Sequence, residues 1–115
     1  MPKTLIIDDL RIFNDLPVEA TWYARTSSEA LTMILKDRWE QTFWDHDLGE
    51  DDDSMKVVDW IEERFYMEGW APDLGTCFIH TANPVGANSL TLALSKIYPV
   101  RRVNIYDMNV TSLDF

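Results

Sequence analysis

Short β-prone segments alternate with stretches of helical periodicity along the whole chain, and this alternation limits the fold more than any other feature. The β-prone segments are residues 4–8, 21–24, 41–45, 76–80 and 102–106. After the second, Thr26-Ser27-Ser28-Glu29 offers helix caps, and Ala30, Leu31, Ile34 and Leu35 then share one face. A second helix is expected from about Ser54, with Val57, Val58, Ile61 and Phe65 at helical spacing, ending before Gly69 and Pro72. In the third, Leu90, Ala93, Leu94 and Ile97 follow the i, i+3, i+4, i+7 pattern, with Asn88 or Ser89 as cap and Pro99 as stop. Such an order predicts a parallel sheet with right-handed crossovers. One connection is short. Ten residues separate Asp9 from Ala20, near the lower limit for a parallel crossover. A very short helix or an ordered loop is expected there, packed through Leu10, Ile12 and Phe13.

Length and charge bound the functions open to this fold. The 115 residues suit a single domain, with residues 107–115 as a short tail. Twenty acids against ten bases give a formal net charge of −10, which argues against tracking along a nucleic-acid duplex. A small phosphate-containing ligand stays open if a metal ion or a local Arg offsets the field. The lone Cys77 sits in an apolar strand and reads as a small buried hydrophobe. No stretch approaches the roughly 20 apolar residues of a membrane span, and the early first strand leaves no room for a signal peptide. A cytoplasmic protein is expected.

The chemistry-bearing residues collect at strand ends. Asp8-Asp9 closes the first strand, Asp45-His46-Asp47 the third, and His80-Thr81-Ala82-Asn83 the fourth. In a parallel α/β sheet those ends lie along one edge, where such folds bind ligands. The acidic run Asp51-Asp52-Asp53 reads as a solvated loop and helix start. Trp44, next to Asp45 on a strand, is expected to face away from it.

Strand order, the Asp8-Asp9 pair, Asp45 and the Thr81-Ala82 strand end resemble a response-regulator receiver domain. The resemblance implies a flavodoxin-type three-layer α/β sandwich, with five parallel strands in the order 2-1-3-4-5 and, here, a shortened first crossover. It also implies Mg²⁺ at the first acids and a phosphoryl-accepting Asp45. Receivers need a Lys at the fifth strand end, where this chain has Ile105-Tyr106-Asp107. The motifs Ile7-Asp8-Asp9-Leu10-Arg11, Asp45-His46-Asp47-Leu48-Gly49 and His80-Thr81-Ala82-Asn83-Pro84-Val85-Gly86 are more similar to a divergent branch. That branch is the cyclic-phosphate processing receiver-domain family. Its members occur in bacteria and their viruses and are expected to act on cyclic phosphates of RNA ends or nucleotide-sugar metabolism. Thr81 stands where the family usually has Ser, and Ser54-Met55 where it usually has Thr-Gly.

Opening a cyclic phosphodiester needs an activated water, a clamp on the phosphoryl oxygens and a proton for the departing sugar oxygen. His46 and His80 suit the two proton roles, with Asp47 placed to raise the pKa of a neighbouring imidazole. Asp45 is a third catalytic candidate, as a nucleophile in the manner of receivers. Arg11 can clamp phosphate or pair with the acidic loop. Thr81 and Asn83 can donate to phosphate oxygens, beside a helix start whose free N–H groups attract anions. Asp8, Asp9 and Asp45 form a candidate oxygen set for Mg²⁺; the two His with an Asp would suit Mn²⁺ or Zn²⁺ instead. Two rival readings remain: a non-catalytic module that binds a nucleotide or protein partner, and an aspartyl-phosphate signalling domain.

Overall fold

The computed structural model describes residues 2–113. Five parallel strands form the central sheet: β1 (Thr4–Ile7), β3 (Thr21–Ala24), β4 (Gln41–Trp44), β5 (Thr76–Ile79) and β6 (Val100–Arg102). Their spatial order, β3-β1-β4-β5-β6, is the 2-1-3-4-5 order expected for a receiver-like domain. Every adjacent pair is parallel.

Alternation along the strands sorts side chains onto two faces. Leu5, Ile7, Trp44, Cys77 and Ile79 share a core with all three helices: α1 (Ser27–Lys36), α2 (Met55–Glu68) and α3 (Pro84–Leu94). A one-residue slip of β1 would exchange that face for the other. It would move Leu5 and Ile7 into the opposite, ribbon-side core, shaped around Ile6 and Phe43, and a forced repacking of that kind costs about 1–3 kcal/mol. Trp44 is fully buried on the helix face and so points away from Asp45. Burial pushes the Cys77 thiol up to about 11.

Ile6 and Phe43 face the other way and meet Phe13 and Ile105. No helix covers this face among the described residues. The third layer is a two-stranded ribbon with a 3-10 turn at Ile105–Asp107. The short crossover supplies one side of the ribbon as β2 (Arg11–Phe13). The segment expected to be an unplaced tail supplies the other as β7 (Val110–Ser112). They pair antiparallel, Arg11 with Ser112 and Phe13 with Val110. Neither segment alone shows this in the sequence, because each is three residues long.

Two element boundaries differ from expectation for local reasons. The last parallel strand is Val100–Arg102 rather than 102–106. The Asn104 side chain accepts from the Tyr106 N–H and turns the chain into a 3-10 coil, the local competition that polar caps offer to a strand. The third helix begins at Pro84, not at Asn88 or Ser89. Asn83 caps it by accepting from the Gly86 N–H, and Pro84 fills the first turn. Thr26 caps α1 as expected, accepting from the Glu29 N–H. Gly75 is required at the entry to β5: its φ is +61, and a Cβ there would collide with the Glu40 carbonyl.

Candidate functional site

Asp8 follows β1 directly and is fully buried. Its Oδ1 accepts the backbone N–H groups of Leu10 (2.8 Å) and Arg11 (3.0 Å), an aspartate turn that folds the chain back on itself. Its Oδ2 accepts from Arg11 Nη1 (3.1 Å) and His80 Nε2 (2.9 Å). Burial alone would raise this carboxyl. The hydrogen bonds from His80 and Leu10 and the charge of Arg11 outweigh it and hold the group at about 2.

Arg11 Nη1 also donates to Asp45 Oδ2 at 3.2 Å, so one guanidinium nitrogen spans both carboxylates. Asp45, next after β4, is buried as well. Here burial dominates and raises the carboxyl, helped by the charge of Asp8 and opposed by the Thr81 hydroxyl and Arg11. Asp9 is raised too, by burial and by the charges of Asp8 and Asp45. The result is a pair of neighbouring acids pushed in opposite directions, a pattern common at sites of proton exchange.

His80 ends β5 and is fully buried, its ring edge-on to Phe13 with centroids 5.1 Å apart. Since carboxylates only accept, Nε2 is the donor to Asp8. Nδ1 is buried and has no hydrogen-bond partner among the described residues. One ligand atom each from Asp8, Asp45 and His80 lie within 4.8 Å of one another, close enough to hold a metal ion. His80 thus completes the cluster in which the sequence placed Asp9. Two carboxylates and an imidazole suit Mn²⁺ or Zn²⁺ better than the all-oxygen shell of Mg²⁺. The donors fit such an ion, but Arg11 already pairs with both carboxylates.

His46 stands apart from this cluster. Its Nδ1 lies 3.0 Å from Asp47 Oδ1, and Asp47 Oδ2 accepts from Asn83 Nδ2 at 3.2 Å. The hydrogen bond with His46, then that with Asn83, lowers the Asp47 carboxyl. The imidazole packs over Gly86 in the first turn of α3, where a Cβ would strike the ring. Gly86→Ala is therefore expected to displace His46 and cost about 1–3 kcal/mol, read as a shift in the urea midpoint. An unchanged midpoint would mean that the ring moves freely.

An open cavity of about 340 Å³ lies on this sheet edge, with Asp9, Arg11, Asp45, Asp47, Thr81 and Asn83 in its wall. Of the residues singled out in the sequence, these six meet at one surface. Neither imidazole lines the cavity, and no hydrogen bond joins the two rings among the described residues. The start of α3 offers an anion less than expected, since Asn83 takes the Gly86 N–H through its side chain and that of Ala87 through its carbonyl. The acidic run has structural partners. Asp52 accepts from the Ser27 N–H and hydroxyl, and Asp53 from the Met55 N–H.

Sequence reasoning missed Arg25. Its Nη1 donates to the carbonyls of Asp8 (3.0 Å) and Arg11 (2.7 Å) and so braces the loop carrying Arg11. The available clue was its position, directly after β3 on the same sheet edge. Gly86 was also missed as a functional position, because only the packed fold reveals what its missing side chain makes room for.

Residues 3–96 match the sequence model of a family described as "Cyclic-phosphate processing Receiver domain". No curated protein and no solved structure matches the chain.

Proposed function

The chain belongs to the cyclic-phosphate processing receiver-domain family, and from that premise we propose that it hydrolyses a cyclic phosphodiester on a small nucleotide, a sugar nucleotide or an RNA end. The observation that carries this reading is Arg11, a cation fixed between two buried carboxylates in the wall of an open cavity. An anion entering so acidic a molecule needs such a partner. The guanidinium keeps donors beyond the one engaged with Asp8 and Asp45. Thr81 and Asn83, which follow β5 on the same sheet edge, add polar groups beside it.

In the reaction, water attacks phosphorus and one P–O bond to the sugar breaks. Asp45 lies at the cavity wall with its charged form disfavoured, and it takes the proton of the attacking water. His46, whose partner Asp47 lines the cavity, returns a proton to the departing sugar oxygen. His80 works from behind the carboxylates as a positioning residue: it holds Asp8, which holds Arg11. A divalent ion held by Asp8, Asp45 and His80 in place of Arg11 would supply that neutralisation of the phosphoryl oxygens instead.

Incubation with a panel of 2′,3′-cyclic nucleotides and cyclic-phosphate sugar nucleotides, with and without EDTA, tests the reading. The wild-type chain should yield the ring-opened monoester. His46→Ala and Asp45→Asn should each lower turnover by about 10²-fold or more, with His80→Ala doing so through loss of the Arg11 geometry. Retention of a nucleotide without product would instead mark a binding module. A phosphoryl group on Asp45 after treatment with a small phosphodonor would mark a signalling domain.

A further inference from the structure

A second cavity of about 320 Å³ opens beside the first, and the two share Thr81 and Ala82. Its remaining wall includes Pro84 and Ala87 from α3, Arg102 from the end of β6, Asn104 and Tyr106. Among the described residues, no carboxylate lines it. In a chain with twice as many acids as bases, a cavity whose only charged group among the described residues is an Arg, beside one in which an Arg faces three acids, is a marked local change in character.

Tyr106 is 85 % exposed, yet its backbone is fixed. The Tyr106 N–H donates to Asn104 Oδ1 at 3.0 Å, the Asp107 N–H to the Asn104 carbonyl at 3.0 Å, and the neighbouring Ile105 is buried in the ribbon-side core. The ring therefore stands on a rigid turn without contributing to the core. Arg102 is held as well, with Nη1 donating to Asn88 Oδ1 on α3 at 2.9 Å. Arg102, Asn104 and Tyr106 all lie beyond the segment, residues 3–96, that carries the family match.

We propose that this second cavity receives the base of the substrate, which makes the preferred substrate a nucleotide rather than a bare sugar phosphate. The inference rests on the reading of the first cavity as the phosphate site. With the phosphate against Arg11, the sugar crosses Thr81-Ala82 and the base lies on the Tyr106 ring. The guanidinium of Arg102 and the amide of Asn104 retain donors for ring acceptors. Stacking on an aromatic side chain tolerates any base, because every base presents a π face.

Equilibrium binding separates this proposal from the catalytic one. The probes are a nucleoside 2′-monophosphate and its base-free counterpart, ribose 2-phosphate, titrated calorimetrically into the wild-type chain, Tyr106→Ala and Tyr106→Phe. The wild type should bind the nucleotide more tightly than ribose 2-phosphate. Tyr106→Ala should weaken nucleotide binding by roughly 5- to 100-fold, the range of one lost stacking contact. Tyr106→Phe should restore it, and ribose 2-phosphate should bind all three alike. Equal affinity for both probes, equal weakening of both, or no binding of either overturns the base site. Failure of the catalytic reading shows differently, as nucleotide binding that depends on Tyr106 with no ring-opened product.

Discussion

Asp8→Ala should destabilise the fold by about 3–5 kcal/mol, the usual cost of removing one partner from a buried ion pair. A single carboxylate here accepts from four donors: the N–H groups of Leu10 and Arg11, Arg11 Nη1 and His80 Nε2. Alanine leaves all four without that acceptor, two of them on side chains that carry the site. Asp8→Asn keeps an oxygen for the aspartate turn and should lose less. Urea denaturation reads the difference, and a loss under about 1 kcal/mol, the worth of one ordinary hydrogen bond, would show that Asp8 is not the hub described. The same carboxylate governs acid stability. Its folded value of about 2 lies below the ordinary 3.8, so the unfolded chain binds its proton first. The stabilisation is complete above 3.8 and disappears as pH falls from there through about 2. Asp9 and Asp45 act in the opposite sense. Their carboxyls are raised, so the folded chain gains protons first and stability rises as pH falls toward the ordinary carboxyl range. A pH series should show that rise before the acid loss, and Asp45→Asn should reduce the rise.

Arg11→Gln should lower kcat/KM by about 10²–10³-fold, the scale on which fixed electrostatic donors contribute to a charged transition state. The same substitution should tighten Mn²⁺ binding, followed by calorimetry or by the spin resonance of the free ion. Both effects have one cause. The guanidinium nitrogen lies 3.1 Å from Asp8 and 3.2 Å from Asp45, and those carboxylates, with His80, form the cluster close enough for a metal. Cation and guanidinium compete for the same oxygens. Arg11→Lys keeps the charge but loses the planar fork, so it should recover only part of the activity. Unaltered Mn²⁺ affinity in Arg11→Gln would show that the two do not compete.

Much of this architecture is legible in the sequence because burial writes a clear period. Leu90, Ala93 and Leu94 can be assigned to one helix face by spacing alone, whereas β1 is buried on both sides, and only the fold tells the face of Ile6 from that of Leu5 and Ile7. Convergence of Asp8, Asp45 and the His80-Thr81 strand end follows from parallel topology, which brings strand ends to one edge. What escaped was set by contacts between distant segments or by single side chains. The pairing of Arg11–Phe13 with Val110–Ser112 joins two three-residue pieces, too short for any period. The early start of α3 depends on one amide, Asn83, and the early end of β6 on another, Asn104. The sequence grouped His46 and His80 by chemistry. The fold pairs one with its chain neighbour Asp47 and the other with the buried Asp8, two strands away across the sheet.

The ribbon has a consequence for how the domain matures. Arg11 sits on a strand whose partner lies about a hundred residues later, Arg11 opposite Ser112, so this contact closes a very long loop. A nascent chain could lay down its parallel strands and helices and still lack the partner of the strand that carries Arg11. On the proposed reading, competence for phosphate would arrive late, as a final clasp rather than with the scaffold, and would be first to go when that clasp frays.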